Sequence, residues 1–397
     1  MIAANESELA KKLRANNHIP TMNQPRKSSQ LPRLLVVLNN RFWADQKGSS
    51  LRISLLLEEL SATHQIDLFF LKRQKAQDKS LLRSRSPFIK HVFFPKSELF
   101  SPLAFLHALA CRCFHKLDPS LHPQAQPTTI KDWRLTLSLV SKLRKNNYHA
   151  VLFEYIWTAK FVNRLSKPHM PQNMWIDTHD VMHQRHRTSM DMGIHVRKPL
   201  SAEDEAGFLR PFSRIIAIQP EEAEEFRRLA PGKEVITIMV SPRVGAASYP
   251  RPAGFDAGLA HIIHVSASDR IAVQSLRWFL ETAWPAVLAS HPQCCLHVIG
   301  SIGSAFANEA FPAVRFLGYI DDLTPYYQHA DLAINPCLAG SGLKIKTVEA
   351  LAHGRPLITT HFGAQGINAV EYPMLYIGEP DEMHALFDDV LKRLSLS

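Results

Sequence analysis

The chain has few cysteines, no long apolar run and no tandem repeat, and each absence removes a class of answers. Its five cysteines (Cys111, Cys113, Cys294, Cys295 and Cys337) are odd in number and lack paired ligand spacing. That excludes a disulfide framework and a cysteine-based zinc module, and it fits a reduced, cytoplasmic setting. The 20 histidines are scattered without ligand spacing, so no bound metal is expected. No segment reaches the ~18 consecutive apolar residues of a membrane span. The nearest, residues 99–117, is too broken to cross a bilayer. It fits a buried helix, or a helix lying in a membrane interface. Residues 1–30 are polar, carry no signal-peptide run and are expected to be a disordered tail. No recognition motif or interleaved basic–aromatic stripe is present, so nucleic acid is not an expected partner.

What is present is ordinary for a globular protein: 397 residues, 46% hydrophobic and 21% charged, enough for two domains. The charge is unevenly divided. Residues 1–200 carry 31 Lys+Arg against 14 Asp+Glu, and the remainder carries 15 against 22. The first half therefore suits a phosphate-rich partner such as an anionic membrane face or a lipid-diphosphate acceptor. A solvated basic surface with no partner fits the same count.

Short apolar runs alternate with helical patterns, as in parallel sheets built from βαβ units. Strands are expected at Leu34–Leu38, Ile66–Leu71, Val92–Phe94, Ala150–Glu154, Met174–Asp177, Arg214–Ile218 and Val235–Met239. A second series is expected at His261–Val265, Leu296–Ile299, Val314–Leu317, Asp331–Ile334 and Leu357–Thr360. Long helices are expected near 131–146, 270–290 and 380–393. The breaker-rich stretch from Ser241 to Gly254 lies between the series and reads as a linker. The expected division is a tail at 1–30, a first domain at 31–240, a linker at 241–258 and a second domain at 259–397. The fold class is α/β, two Rossmann-like doubly wound domains facing across a cleft. Ligands of such sheets bind at the C-terminal ends of the strands.

The densest chemical signal is Gly340-Ser341-Gly342-Leu343-Lys344-Ile345-Lys346, followed by Glu349 and a Gly354-Arg355-Pro356 stop. Glycines at a helix mouth leave backbone N–H groups to face an anion, and the helix dipole favours negative charge there. Glu349 lies seven residues after Gly342, about two turns at ~3.6 residues per turn, on the same azimuth. A phosphate at the helix start and a sugar diol at the glutamate would together hold a nucleoside diphosphate. A Gly-rich helix entry with one solvated glutamate fits the spacing equally well.

Residues 335–366, with Asn335-Pro336, the Gly340–Lys346 run, Glu349-Ala350-Leu351-Ala352-His353-Gly354-Arg355-Pro356 and Gly363-Ala364-Gln365-Gly366-Ile367, resemble the donor-binding segment of GT-B glycosyltransferases. The nearer resemblance is to glycosyltransferase family four, the group 1 enzymes of bacterial surface-polysaccharide synthesis. It is specific over 261–380 and looser over 33–240. It implies transfer of a sugar from a nucleotide-diphosphate sugar to a glycan or lipid-linked acceptor, retaining and metal-independent, with no cofactor beyond the donor. A GT-B sugar-nucleotide epimerase and a catalytically silent GT-B subunit share the same pattern. Cytoplasmic residence, with peripheral contact at the inner membrane face as an option, goes with that function.

The resemblance also implies roles for residues. The backbone of Gly340, Ser341, Gly342 and Leu343 would meet the diphosphate, Lys344 would neutralise it as the nucleotide leaves, and Glu349 would accept from the ribose hydroxyls. Many family members carry a glutamate where this chain has Ser341. Gly300 would bring a backbone edge to the nucleotide, and Tyr319 and Ile320 would frame the base. The family's Arg/Lys pair at the start of the second domain is reduced to Arg270. In the first domain, Gly48 and Ser49 resemble the glycine loop beside the diphosphate. His179 ends a strand where relatives aim a histidine at the donor sugar. Asp180, His183 and Arg185 would orient it or meet the acceptor, and Glu154-Tyr155 would face the acceptor. Lys346 is expected on the solvated face of the helix.

Overall fold

The computed structural model of the protein describes residues 31–44, 48–94, 130–162, 171, 173–242, 244 and 247–394. The tail at 1–30 and the apolar run at 99–117 lie outside the described residues. The first sheet contains β1 (Arg33–Leu38), β2 (Gln65–Phe70), β3 (Ile89–Phe93), β4 (Ala150–Glu154), β5 (Met174–Asp177), β6 (Arg214–Ala217) and β7 (Glu234–Thr237). Its order is β3-β2-β1-β4-β5-β6-β7, and all of its pairings are parallel. The second contains β8 (Ala260–Val265), β9 (Cys294–Ile299), β10 (Val314–Gly318), β11 (Leu332–Asn335), β12 (Leu357–Thr360) and β13 (Leu375–Gly378). Its order is β10-β9-β8-β11-β12-β13, again all parallel. The two sheets are separated in the chain by residues 238–259.

The apolar runs are continuous because both faces of each sheet are covered. Side chains alternate across a strand. In β1, Leu34, Val36 and Leu38 join one core while Leu35 and Val37 join the opposite one, all of them fully buried. Burying each such side chain contributes roughly 1.5–3 kcal/mol. In the second sheet Leu332 and Ile334 of β11 face one core and Ala333 the other.

The helices that bear on the site are α1 (Gly48–Ser61), α2 (Met182–Asp191), α3 (Ala202–Leu209), α4 (Pro220–Leu229), α5 (Arg270–Trp278), α6 (Ile345–Ala352) and α7 (Met383–Arg393). The helix expected near 270–290 is α5, a widened turn at Phe279–Ala283, and a last segment at Trp284–Ser290. Pro285 has no N–H to give and its ring crowds the preceding turn, which accounts for the widening. Strand β13 had no counterpart in the sequence reading. It is a four-residue edge strand with only Leu375 and Gly378 buried, too short to show a period.

In each sheet the order reverses beside the first strand, between β1 and β4 and between β8 and β11. Loops leaving the C-terminal ends of those strands open a crevice there. The two crevices face one another, and a cleft of about 1060 Å³ lies between them.

Candidate active site

Two helix starts meet in this cleft. Gly48 opens α1 and Ile345 opens α6, and a Cβ added to Gly48 would lie 3.3 Å from Ile345 Cβ. Neither helix carries an acidic residue in its first turn, and the α6 start has no side-chain cap. Their orphan amides and dipoles therefore bring positive potential to one place. Gly48, Ser49, Gly300, Gly340, Ser341, Leu343, Lys344, Lys346 and Glu349 all line the cleft. Gly300 is held by geometry: its φ is +111°, and a Cβ there would lie 2.2 Å from the Ser266 carbonyl oxygen. The ends of β8 and β9 are thereby pressed together under the cleft.

Glu349 sits one turn into α6, not two. Gly342 has φ +76° and lies outside the helix, so the expected shared azimuth does not hold. The glutamate nevertheless faces the cleft, where the Tyr327 hydroxyl donates to its Oε2 at 3.4 Å. Burial raises its carboxyl to about 7.

The 340–343 loop docks on the first domain. The Gly340 amide donates to Thr188 Oγ1 at 3.1 Å, and Ser341 Oγ donates to the Val181 carbonyl at 3.1 Å. Leu343 packs on Ile218. Gly342 faces Glu222: a Cβ there would come within 2.7 Å of Glu222 Oε1 and 3.0 Å of Ile218 Cδ1. The Gly340 amide, expected to face a ligand, is thus spent on contact between the domains, as is the Ser341 hydroxyl. Burial and the charge of Asp180 push the Glu222 carboxyl up to about 8.

Lys344 also turns inward. Its ammonium donates to Ser341 O at 3.1 Å, Gly342 O at 2.7 Å and Gln365 Oε1 at 3.2 Å. Burial lowers its pKa. Lys346 is not on a solvated helix face: it is part-buried in the cleft, and its Nζ donates to Ser266 Oγ at 3.1 Å. Arg270 reaches away, donating to the His195 carbonyl of the first domain at 3.1 Å.

On the first-domain wall, His179 and Tyr155 follow β5 and β4. Both have positive φ, +66° and +69°, a conformation costing of order 1–3 kcal/mol in a non-glycine residue. Their rings stack at 3.8 Å with 6° between planes. His179 Nε2 lies 2.9 Å from Glu154 Oε2 and 3.1 Å from Asp177 Oδ2. Burial and Asp177 raise the Glu154 carboxyl, which favours a proton shared within the cluster. Positions 154, 177 and 179 show no ligand spacing in sequence, yet neighbouring parallel strands bring them within metal-ligand reach of one another. Asp177 is already balanced by the buried Arg52, which donates to both of its oxygens at 2.6 and 3.2 Å. A cation would have to enter beside that guanidinium, so the donor set fits a proton better than a metal.

Asp180 and Arg185 face the cleft as an ion pair at 2.8 Å. His183 does not line it. Its Nδ1 binds Glu205 of α3, and that carboxylate also accepts the Met182 and His183 amides, capping α2 from outside. Tyr319 and Ile320 line the far rim, with the Tyr319 hydroxyl donating to Asp321.

Residues 260–395 match the family described as glycosyl transferases group 1. The fold is GT-B, shared with sucrose-phosphate synthase from Thermosynechococcus elongatus at a TM-score of 0.63 and 14% identity, over 92% of this chain and 90% of that one. TarM is similar at a TM-score of 0.62 and 9% identity, over 94% and 93% of the two chains. Anabaena HepE in complex with UDP-glucose is similar at 0.57 and 14%, over 92% and 91%. A 44.6 kDa protein in the cps region of Klebsiella pneumoniae is 24% identical over 123 residues, 28% of this chain and 32% of that one. The chain thus matches about a third of that curated relative's length.

Proposed function

We propose that this GT-B protein, whose second domain is that of group 1 glycosyltransferases, transfers a sugar from a nucleoside-diphosphate sugar to a glycan or lipid-linked acceptor. The observation that carries the reading is the meeting of two helix starts, Gly48 and Ile345, neither with an acid in its first turn, with a buried carboxyl at Glu349 one turn below. That pairing suits a diphosphate and a ribose diol. The first domain, which holds most of the positive charge, is the acceptor side. The complex of HepE with UDP-glucose and the cps-region relative support a nucleotide sugar and a glycan product class.

The reaction we infer is retaining and metal-independent. The bond between the anomeric carbon and the diphosphate oxygen breaks, with its electron pair going to that oxygen. The acceptor oxygen bonds the anomeric carbon from the same face, and its proton passes to the departing phosphate oxygen. Helix amides and a lysine stabilise the negative charge that develops there. His179, backed by Glu154 and Asp177, contacts the donor sugar from the opposite wall.

Calorimetric titration with UDP, GDP and ADP, with and without EDTA, tests the donor site. The expected result is binding of one nucleotide unaffected by EDTA and weakened at least ~tenfold in Glu349→Ala, as for loss of a charge-assisted hydrogen bond. Equal binding by wild type and variant would sink the assignment. Incubation with a nucleotide sugar alone separates an epimerase, which would make a sugar isomer without any acceptor.

A further inference from the structure

We propose that Lys346, and not Lys344, is the cation that holds the diphosphate, while Lys344 is an internal anchor that shapes the loop. The inference rests on the donor-site reading above. It starts from a count of donors. An ammonium has three N–H groups, and Lys344 directs its three at Ser341 O, Gly342 O and Gln365 Oε1. Two of these acceptors are carbonyls of the loop that seats against the first domain. For Lys344 to reach a phosphate it would have to release the bonds that fold that loop.

Lys346 is differently placed. It is in the first turn of α6, among the helix amides that lack intrahelical partners. Its ammonium meets one acceptor, the Ser266 hydroxyl at 3.1 Å, which leaves two N–H groups and a full charge for a ligand. Among the described residues no carboxylate is paired with it. Ser266 directly follows β8, and its carbonyl is the group pressed against Gly300, which directly follows β9. The ammonium therefore stands over the junction of the two strand ends, facing the cleft where the α1 and α6 starts converge. This is the region that the expected Arg/Lys pair of the second domain would have filled. Arg270 is engaged elsewhere by His195, and Lys346 supplies the charge from a different element. The neighbouring His264 adds none, because burial and the lysine charge hold its imidazole neutral, with a pKa of about 3.

The test separates the phosphates from the rest of the nucleotide. Full-length wild type, Lys346→Met, Lys346→Arg and Lys344→Met are titrated with the nucleoside diphosphate that wild type prefers among UDP, GDP and ADP. The matching nucleoside is measured by competition. Lys346→Met is expected to weaken the diphosphate at least ~tenfold and leave the nucleoside unchanged, with Lys346→Arg near wild type. Lys344→Met is expected to lower the melting temperature and keep the wild-type ratio of diphosphate to nucleoside affinity. Unchanged diphosphate binding in a folded Lys346→Met overturns the inference, as does selective loss of the diphosphate in Lys344→Met. If wild type binds none of the three nucleotides, the donor-site reading falls and takes this inference with it.

Discussion

Glu349 and Glu222 are both carboxyls held above their ordinary range by burial, one inside the cleft and one behind it. For Glu349 the consequence is in binding. Ribose hydroxyls donate to a carboxylate, so the ionised form is the better partner. Nucleotide affinity is expected to rise as pH passes upward through about 7, and to be flatter in Glu349→Gln. Titration calorimetry across that range checks it. For Glu222 the consequence is in stability. Its carboxyl lies near about 8 when folded and near 4.5 when unfolded. The folded chain thus holds that proton more tightly, and the stabilisation present below 4.5 is lost as pH rises through about 8. Thermal melts are expected to show wild type losing stability over this window more steeply than Glu222→Gln, which is neutral throughout.

At the scale of elements, the 340–343 loop joins the two halves, and its glycines differ in what they permit. Gly342→Ala would strain a φ of +76° and drive a methyl into Glu222 and Ile218. It is expected to cost of order 1–3 kcal/mol and to separate the domains, seen as a lower melting temperature and a larger radius of gyration by small-angle scattering. Gly354→Ala, at φ +65° with nothing within 4 Å, serves as the control: it should carry the conformational cost alone. This also marks where the sequence stopped being legible. Strands β1, β4, β5, β8, β9, β11 and β12 were readable because two-sided burial keeps each mostly apolar. A helix opening after the glycine loop and the cleft-facing Glu349 were readable from local chemistry, although the helix starts at Ile345, three residues beyond Gly342. The direction of Lys344 and Lys346 was not, because a lysine stem reaches either way and its partners, Gln365 and Ser266, lie 21 and 80 residues away in sequence. Likewise Glu154 and His179 meet only because β4 and β5 are neighbours.

Across the whole molecule, buried packing outweighs exposed ion pairs. Arg85 and Asp321 bridge the domains at 2.8 Å, but both are exposed, at 36% and 62%. Arg85→Ala is expected to change unfolding free energy by less than ~1 kcal/mol. Leu152→Ala in β4, fully buried, is expected to cost ~2–5 kcal/mol in the same denaturant titration.

The strands beside each reversal, β1, β4 and β5 in one sheet and β8, β9 and β11 in the other, lead into segments that line the same cleft. On the proposed reading the nucleotide sugar would lie along the segments after β8, β9 and β11, while the α1 start and His179 reach it from the opposite wall, after β1 and β5. A change on either wall would then be felt by the same molecule, so the spacing between the walls is itself part of the site. The seam at Gly342, with no room for a side chain against Glu222 and Ile218, is what fixes that spacing.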